Sequence, residues 1–267
     1  MYRTSVFSFI DILGFKKIVA DSSFAEVDSS LKTVRRLSGV PESGDGEGLE
    51  PKVIQFSDSI VRIRPVDSTA NKEARYGLTY FEIIDLVHMQ GELINHGICV
   101  RGGVAIGDVH IDGEALFGPG FIRAYELESI YANYPRIILD PELISQIRTN
   151  KALVSENHSL AEEFTYIRNN VRKDSDGIYF IDYLKAFQGE IDDPADIPVF
   201  LSNHKKLILK NSKGQVKLTA VSAKYLWMAA YHNSVIGKLS EGFFSGFEIA
   251  RSDLEISHKE MPLLQGL

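Results

Sequence analysis

Two aspartates that end β-rich segments are the residues best suited to chemistry. Asp11 ends the apolar run of residues 6–10, and a glycine turn at Gly14 leads into a helix-like stretch over residues 15–20. A buried strand that ends in a carboxylate can present it to a cleft. The free N–H groups and the dipole of the following helix favour an anion such as phosphate. An acid beside a phosphate site requires a cation between them. The alternative is that Asp11 is a helix N-cap.

Asp58 lies between two short β-rich runs, in the segment Ser57-Asp58-Ser59. This pattern predicts a tight hairpin, in which Asp58 is either a functional acid or an ordinary turn residue. If the hairpin lies beside the first strand, Asp11 and Asp58 converge. Two carboxylates about 4 Å apart repel each other by roughly 4 kcal/mol at an effective dielectric near 20. Such a pair is typical of a divalent-cation site, and Mg²⁺ suits carboxylates combined with substrate phosphates.

The composition indicates a soluble, cytoplasmic protein. The chain has 267 residues, a net charge of −7 and one cysteine. The acidic balance disfavours a direct nucleic-acid partner. No signal sequence or stretch of membrane-spanning length is evident, so we expect no membrane partner. Cys99 lies in an apolar strand-like segment, where it is expected to fill the core, and a single cysteine excludes an intrachain disulfide.

The order of elements predicts a mixed α/β fold of the α+β type. The pattern β-α-β-β-α-β-β-α-β contains the split βαβ repeat of ferredoxin-like sheets, which predicts a mostly antiparallel sheet with helices on one face. We expect a catalytic domain over residues 1–185 and a mainly helical extension over 186–267, packed on the core or at a dimer interface. Strands are predicted at 4–11, 52–64 (a hairpin), 98–111 (glycine-rich, a strand or bulged strand pair), 135–140 and 177–184, helices at 15–38, 76–96, 121–134, 155–172 and 197–237, and a loop at 39–50.

Four segments in order resemble the class III nucleotidyl cyclases over about residues 4–185. They are Asp11-Ile-Leu-Gly-Phe15, Phe56-Ser57-Asp58, Arg101-Gly-Gly-Val-Ala-Ile-Gly107 and the helix from Phe117-Gly118 to Glu128. The resemblance implies that two Mg²⁺ or Mn²⁺ ions are held by Asp11 and Asp58, with Ile12 as a further metal ligand. It implies that the turn of Ile12, Leu13, Gly14 and Phe15 binds the triphosphate. It also implies a homodimer with active sites at the subunit interface.

Departures from that family concern the base and the transition state. Ile122 and Glu126 stand where purine cyclases carry an asparagine and an arginine, and Ile54 and Ala115 stand at the two base-reading positions of adenylate cyclases. Either activity is lost or another base is used, with another cation in the place of the arginine. Of these two interpretations, loss of activity is disfavoured because both metal-binding aspartates remain.

Further segments are similar to the pyrimidine cyclases of the bacterial Pycsar anti-phage systems. They are residues 118–120, 124–129, 134–137, 224–228 and 231–233. This resemblance implies that UTP, or as second choice CTP, is cyclised to the 3′,5′-monophosphate with release of pyrophosphate. It also implies that a separate cyclic-nucleotide effector reads the product.

Three cations are candidates for contacting the phosphates: Arg101, Arg123 and Lys224. Arg101 and Arg123 are assigned as catalytic candidates, and Lys224 and Ile54 as nucleotide-binding candidates, although a structural salt bridge remains the alternative for any single cation. A rival function is an inactive cyclase-like module that binds a nucleotide or a partner protein. A palm-type polymerase or dinucleotide cyclase shares two-metal chemistry, but its characteristic acidic motif is not found.

Overall fold

The computed structural model describes residues 1–39, 51–112, 115–215 and 217–266. The chain forms two compact units, Met1–Leu93 with Ile98–Tyr183 and Ile94–Gly97 with Leu184–Leu267. Within the described ranges, the helices all fall short of the length and apolar character that a membrane crossing requires. The predicted loop over residues 39–50 lies, apart from Gly39, outside the described residues.

The first unit is built on a mixed but mostly antiparallel sheet, which confirms the predicted fold class. The first four strands lie in the order β2-β3-β1-β4, each antiparallel to its neighbour, which is the ferredoxin-like arrangement. The sheet continues through β6, β8 and β7, and β4 and β6 are parallel. The strands are β1 (Arg3–Ile12), β2 (Lys52–Phe56), β3 (Ser59–Pro65), β4 (Val100–Asp112), β5 (Ala115–Phe117), β6 (Ile137–Leu139), β7 (Val171–Lys173) and β8 (Tyr179–Ile181).

The helices of this unit follow the predicted order, with shifted ends. The predicted break near Asp21 is present, and Ser23 starts the next helix with a capping box to Glu26. The predicted helix over 155–172 is shorter, because its last residues pair as strand β7. The helices are α1 (Phe15–Asp21), α2 (Phe24–Leu37), α3 (Thr69–Glu73), α4 (Leu78–Asn95), α5 (Pro119–Glu126), α6 (Pro141–Thr149) and α7 (Leu160–Asn169), with a π-helical turn at Leu127–Tyr131 after α5. The short helix α8 (Tyr183–Ala186) begins at the last residue of this unit, and its other residues belong to the second unit.

Helices cover both faces of the sheet, so the expectation of helices on one face is wrong. Ser8 of β1 donates to Glu82 of α4 at 2.6 Å, whereas Phe9 packs on Phe121 and Tyr125 of the α5 side. Adjacent residues of a strand point to opposite faces, so α4 and α5 lie on opposite sides of β1. This explains why β1 is an almost continuous apolar run.

The glycines of β4 allow close backbone approach. β4 pairs with β1 without interruption from Val100 to Val109, so it is one long strand rather than a bulged pair. A Cβ on Gly103 would lie 2.3 Å from the Leu127 side chain, and a Cβ on Gly107 would lie 2.7 Å from Gly120 Cα. The α5 segment can therefore lie directly on the strand only because side chains are missing there.

The second unit is helical, as predicted. Two long helices, α9 (Asp196–Ser212) and α10 (Ala220–Ile236), are followed by the short helices α11 (Glu241–Gly246) and α12 (Arg251–Leu254). His204 of α9 and His232 of α10 are fully buried, with their Nδ1 atoms 3.0 Å apart, and the His232 ring bonds the Leu254 carbonyl at 2.8 Å. Burial lowers the pKa of His232 to about 4, so the pair is neutral at neutral pH.

A buried charge network joins the sheet to α4. The Glu82 carboxylate accepts hydrogen bonds from Ser8, from Arg62 at 2.8 Å and from Arg64 at 2.7 Å. The Asp85 carboxylate accepts a hydrogen bond from each of the two arginines, and Arg62 also donates a hydrogen bond to the Ser38 carbonyl at the end of α2. Burial by itself would raise the pKa of Glu82, but the two arginines outweigh it and lower that pKa to about 2.

We predict that Glu82→Gln destabilises the protein by about 3–5 kcal/mol, because it leaves buried guanidinium charge without its main counter-ion. Asp28→Asn removes an exposed carboxylate paired with Lys32 and is expected to cost less than about 1 kcal/mol. Urea unfolding of the two variants measures the difference, and equal costs would contradict the role assigned to Glu82.

Candidate active site

Asp11 lies near the end of β1, between its two neighbouring strands. Its cross-strand partners are Ser59 on β3 and Arg101 on β4. Ser59 Oγ is 3.5 Å from Asp11 Oδ1, and Arg101 Nε is 3.7 Å from Asp11 Oδ2. The side chain is about one-fifth exposed, so solvent reaches the carboxylate.

The structure brings Asp58 to Asp11. Ser57 and Asp58 form the two-residue turn of the β2–β3 hairpin, as predicted, and the Asp58 carboxylate is close enough to add to the effect of burial in raising the pKa of Asp11. Ser57 has a φ of 55°, in the left-handed region where glycine is favoured. A strained non-glycine residue beside a pair of carboxylates is typical of functional turns.

The charge balance around Asp11 is unfavourable for a carboxylate. Burial, followed by the charges of Asp58 and Glu128, raises the pKa of Asp11 to about 7, and Arg101 only partly opposes the shift. A carboxylate kept in such surroundings is a feature of sites that bind a cation or transfer a proton.

Glu128 is a third acid of the site, which the sequence interpretation did not single out. It lies in the π-helical turn, is almost fully buried, and its Oε1 is 2.6 Å from Arg101 Nη2. Arg101 therefore bridges Glu128 and Asp11. The sequence did contain a signal for Glu128, because this residue ends the fourth segment of the resemblance to the cyclases. Nothing in the spacing, however, indicates that the Glu128 side chain reaches a residue of a strand.

The turn after β1 has the predicted conformation. Gly14 adopts a φ of 77° and precedes α1, whose first backbone bond runs from Lys17 N–H to the Gly14 carbonyl. Leu13 N–H donates to the Cys99 carbonyl at 2.8 Å, so it is already used. The N–H groups of Phe15 and Lys16 precede the first bonded turn and are the ones that an anion could engage. The Ile12 side chain is buried, which leaves its carbonyl as the only possible ligand atom.

The other predicted site residues are distributed more widely. Arg123 forms an ion pair with Asp140 through two bonds of 2.8 and 3.2 Å and lies 3.6 Å from Glu126. Ile54 lies on β2 opposite Val61, and Lys224 lies on α10 in the second unit. Arg101, one of the three candidate cations, forms an ion pair with Asp11.

Asp11 and Asp58 supply some, but not all, of the ligands that a divalent cation needs. Asp11 and Asp58 supply hard, mutually repelling oxygen ligands, which Mg²⁺ and Mn²⁺ prefer. Among the described residues, no group of three or more acidic, histidine or cysteine side chains is arranged to hold a metal ion. A cation at this pair would therefore need further oxygens from backbone, water or substrate phosphates.

Exposed apolar side chains lie around Phe9, two residues before Asp11 on the same face of β1. Phe9, itself buried, packs on Phe56, Phe121 and Tyr125, with ring centroids 5.4–6.1 Å apart. Phe56 and Tyr125 are about half exposed, as is Ile122 on the same helix. We call Phe56, Ile122 and Tyr125 the apolar rim of the site.

Comparison with solved structures finds similarity to a bacterial light-regulated adenylyl cyclase, at 14% identity and a TM-score of 0.40, covering 63% of this chain and 98% of that chain. A second structure of a bacterial light-regulated adenylyl cyclase gives 13% identity and a TM-score of 0.36, covering 63% of this chain and 57% of that chain. A similarity of this degree identifies no activity for this chain. No family model matches, and no curated protein matches.

We predict that Asp11→Asn stabilises the metal-free protein, and increasingly so as the pH rises. The folded state binds the Asp11 proton more tightly than the unfolded chain, so ionisation between about pH 4 and 8 costs stability in the wild type only. The expected gain at pH 8 is about 1–3 kcal/mol, measured by urea unfolding in the presence of a chelator.

The control is Asp21→Asn, which removes an exposed carboxylate at the end of α1. The Asp21→Asn variant should have almost the same free energy of unfolding as the wild type at both ends of the range from about pH 4 to pH 8. An Asp11→Asn variant that is less stable than the wild type at pH 8 would contradict the repulsion inferred around Asp11.

Proposed function

We propose that this protein is a nucleotidyl cyclase that converts a nucleoside triphosphate to the 3′,5′-cyclic monophosphate and pyrophosphate. The observation that carries the proposal is the convergence of Asp11 and Asp58, beside the Gly14 turn and with Arg101 in contact. Two acids, a phosphate-accepting turn and a cation are the groups that the reaction requires. Their sequence order resembles that of the class III cyclases.

Each group has an assigned role. Asp11 and Asp58 would hold two divalent cations, Mg²⁺ or Mn²⁺, with Ile12 contributing its carbonyl. When bound, such ions make the ribose 3′-hydroxyl more acidic and neutralise charge on the leaving pyrophosphate. The N–H groups that follow Gly14 position the terminal phosphates. Arg101, held between Asp11 and Glu128, is placed to contact phosphate oxygens, and Arg123 and Lys224 remain further candidates.

A pyrimidine substrate, UTP ahead of CTP, is the second part of the proposal. Ile54 lies on β2 and Ala115 on β5, and neither side chain can hydrogen-bond the edge of a purine. Sequence resemblance to the Pycsar pyrimidine cyclases supports the same choice. By the same resemblance, we propose that the product is a second messenger in anti-phage defence and is read by a separate effector.

We further propose that the enzyme is a homodimer whose active sites lie at the subunit interface. The apolar rim supports this, because three exposed large apolar side chains beside a polar site are costly unless another surface covers them. A second copy that packs on the rim would also remove water from the carboxylate pair and so strengthen the attraction between the two carboxylates and a bound cation.

The activity is tested by incubating the purified protein with ATP, GTP, CTP or UTP and Mn²⁺, with the products resolved by mass spectrometry. We expect cyclic UMP, or cyclic CMP as second choice, and a loss of at least about a thousandfold in Asp11→Ala and Asp58→Ala. Asp21→Ala is the matched control and should retain full activity.

The outcomes separate the alternatives. Cyclic AMP or GMP would keep the cyclase and overturn the assigned base. Full activity in Asp58→Ala would refute the mechanism in which both aspartates are required. No product from any nucleotide, combined with nucleotide binding by calorimetry, would favour the inactive binding module instead.

We predict that Tyr125→Glu or Ile122→Glu converts the dimer to a monomer and lowers activity by at least about tenfold, because a charge cannot be buried unpaired in an apolar interface. Light scattering coupled to size exclusion reports the mass. Phe24→Glu changes another highly exposed side chain, outside the rim, and should change neither mass nor activity. A wild-type monomer with full activity would refute the dimer proposal.

A further inference from the structure

The second unit contains a long segment without acidic residues. Residues 197–240 include no aspartate or glutamate but seven lysines, within a chain whose net charge is −7. A solvated helical surface normally mixes both signs, because like charges at helical spacing repel. A sustained excess of lysine therefore suggests that this surface meets an anionic partner.

The lysines of α9 form an outward-facing stripe. Lys206 and Lys210 are exposed and lie four residues apart on one side of α9, and the exposed Lys213 follows the helix directly as its C-cap. The neighbouring Lys205 behaves differently, because it bonds Glu260 at 3.0 Å and the Glu255 carbonyl at 2.7 Å. Lys205 is thus used inside the unit, whereas the stripe faces solvent.

Exposed aliphatic side chains lie next in the chain. Lys217 is exposed, Leu218 is 69% exposed and Val221, in the first turn of α10, is 55% exposed. We call Lys206, Lys210, Lys213, Lys217, Leu218 and Val221 the basic-apolar surface. Two large apolar side chains left in water next to lysines gain free energy only if the partner offers both negative charge and an apolar layer.

We propose that the basic-apolar surface binds the surface of an anionic lipid membrane, with the lysines at the headgroups and Leu218 and Val221 inserted. Each lysine near such a surface strengthens binding by about fivefold. A nucleic-acid partner fits less well, because phosphate and base recognition favours arginine and exposed aromatic rings. Residues 197–240 contain no arginine, and the exposed apolar residues named above are aliphatic. Binding of this kind needs no spanning helix, and the proposal replaces the expectation of no membrane partner with one that the experiment below tests.

The test is co-sedimentation of the full-length protein with vesicles of phosphatidylcholine alone or mixed with phosphatidylglycerol. We expect binding only to the mixed vesicles, and weaker binding at high salt. Lys206→Glu/Lys210→Glu should bind at least tenfold more weakly. Lys151→Glu/Lys259→Glu makes the same change in net charge at exposed positions outside the surface and should bind like the wild type.

A second pair of measurements keeps the proposal falsifiable. Leu218→Ser/Val221→Ser should weaken vesicle binding while leaving the charge intact, and the fluorescence of Trp227, the only tryptophan, verifies that each variant is folded. Absence of phosphatidylglycerol-dependent sedimentation, or equal binding by both charge variants, would overturn the proposal. Tight binding of single-stranded RNA that is insensitive to the Leu218 and Val221 changes would replace it with a nucleic-acid interface.

Discussion

The ion cluster of Glu82, Asp85, Arg62 and Arg64 fixes the geometry on which the rest of the first unit depends. One carboxylate, Glu82, binds β1 through Ser8 and β3 through both arginines, and it is carried by α4. Removing charges of both signs from water is costly, so the arrangement is tolerated only when all the partners are in place. The cluster therefore specifies which strands lie side by side and how α4 lies across them.

The same strand pair carries the candidate site on its opposite face. Ser8 and Asp11 differ by three positions on β1, so their side chains point to opposite sides of the sheet. The network holds β1 against β3 in one register, and that register places Asp11 opposite Ser59, next to the turn that bears Asp58. A structurally neutralised cluster on one face thus holds two poorly compensated carboxylates together on the other. The burial and the carboxylate repulsion that raise the pKa of Asp11 are sustained by packing elsewhere.

Much of this could be predicted from the sequence where local chemistry decides the outcome. The apolar run ending at Asp11, the hairpin at Ser57-Asp58 and the break near Ser23 depend on residues close in sequence, and all three are present. The two covered faces of β1 were missed, because a continuous apolar run does not reveal what packs on each side. Strand β7 was also missed, since a three-residue strand is defined by its partner rather than by its own composition, whereas β8 lies inside the strand predicted over 177–184.

Glu128 shows most clearly what spacing cannot reveal. Leu127 can lie on β4 only because Gly103 has no side chain, and the π-helical turn that begins there brings the next residue, Glu128, to Arg101. Each step is a contact between segments distant in the sequence, and the π-helical turn is not encoded by a recognisable pattern. Since Arg101 lies two residues before Gly103 on the same face of β4, the glycine that admits the turn also sets the distance between Glu128 and Arg101. The electrostatics of the candidate site thus depend on a missing side chain as much as on the charged ones.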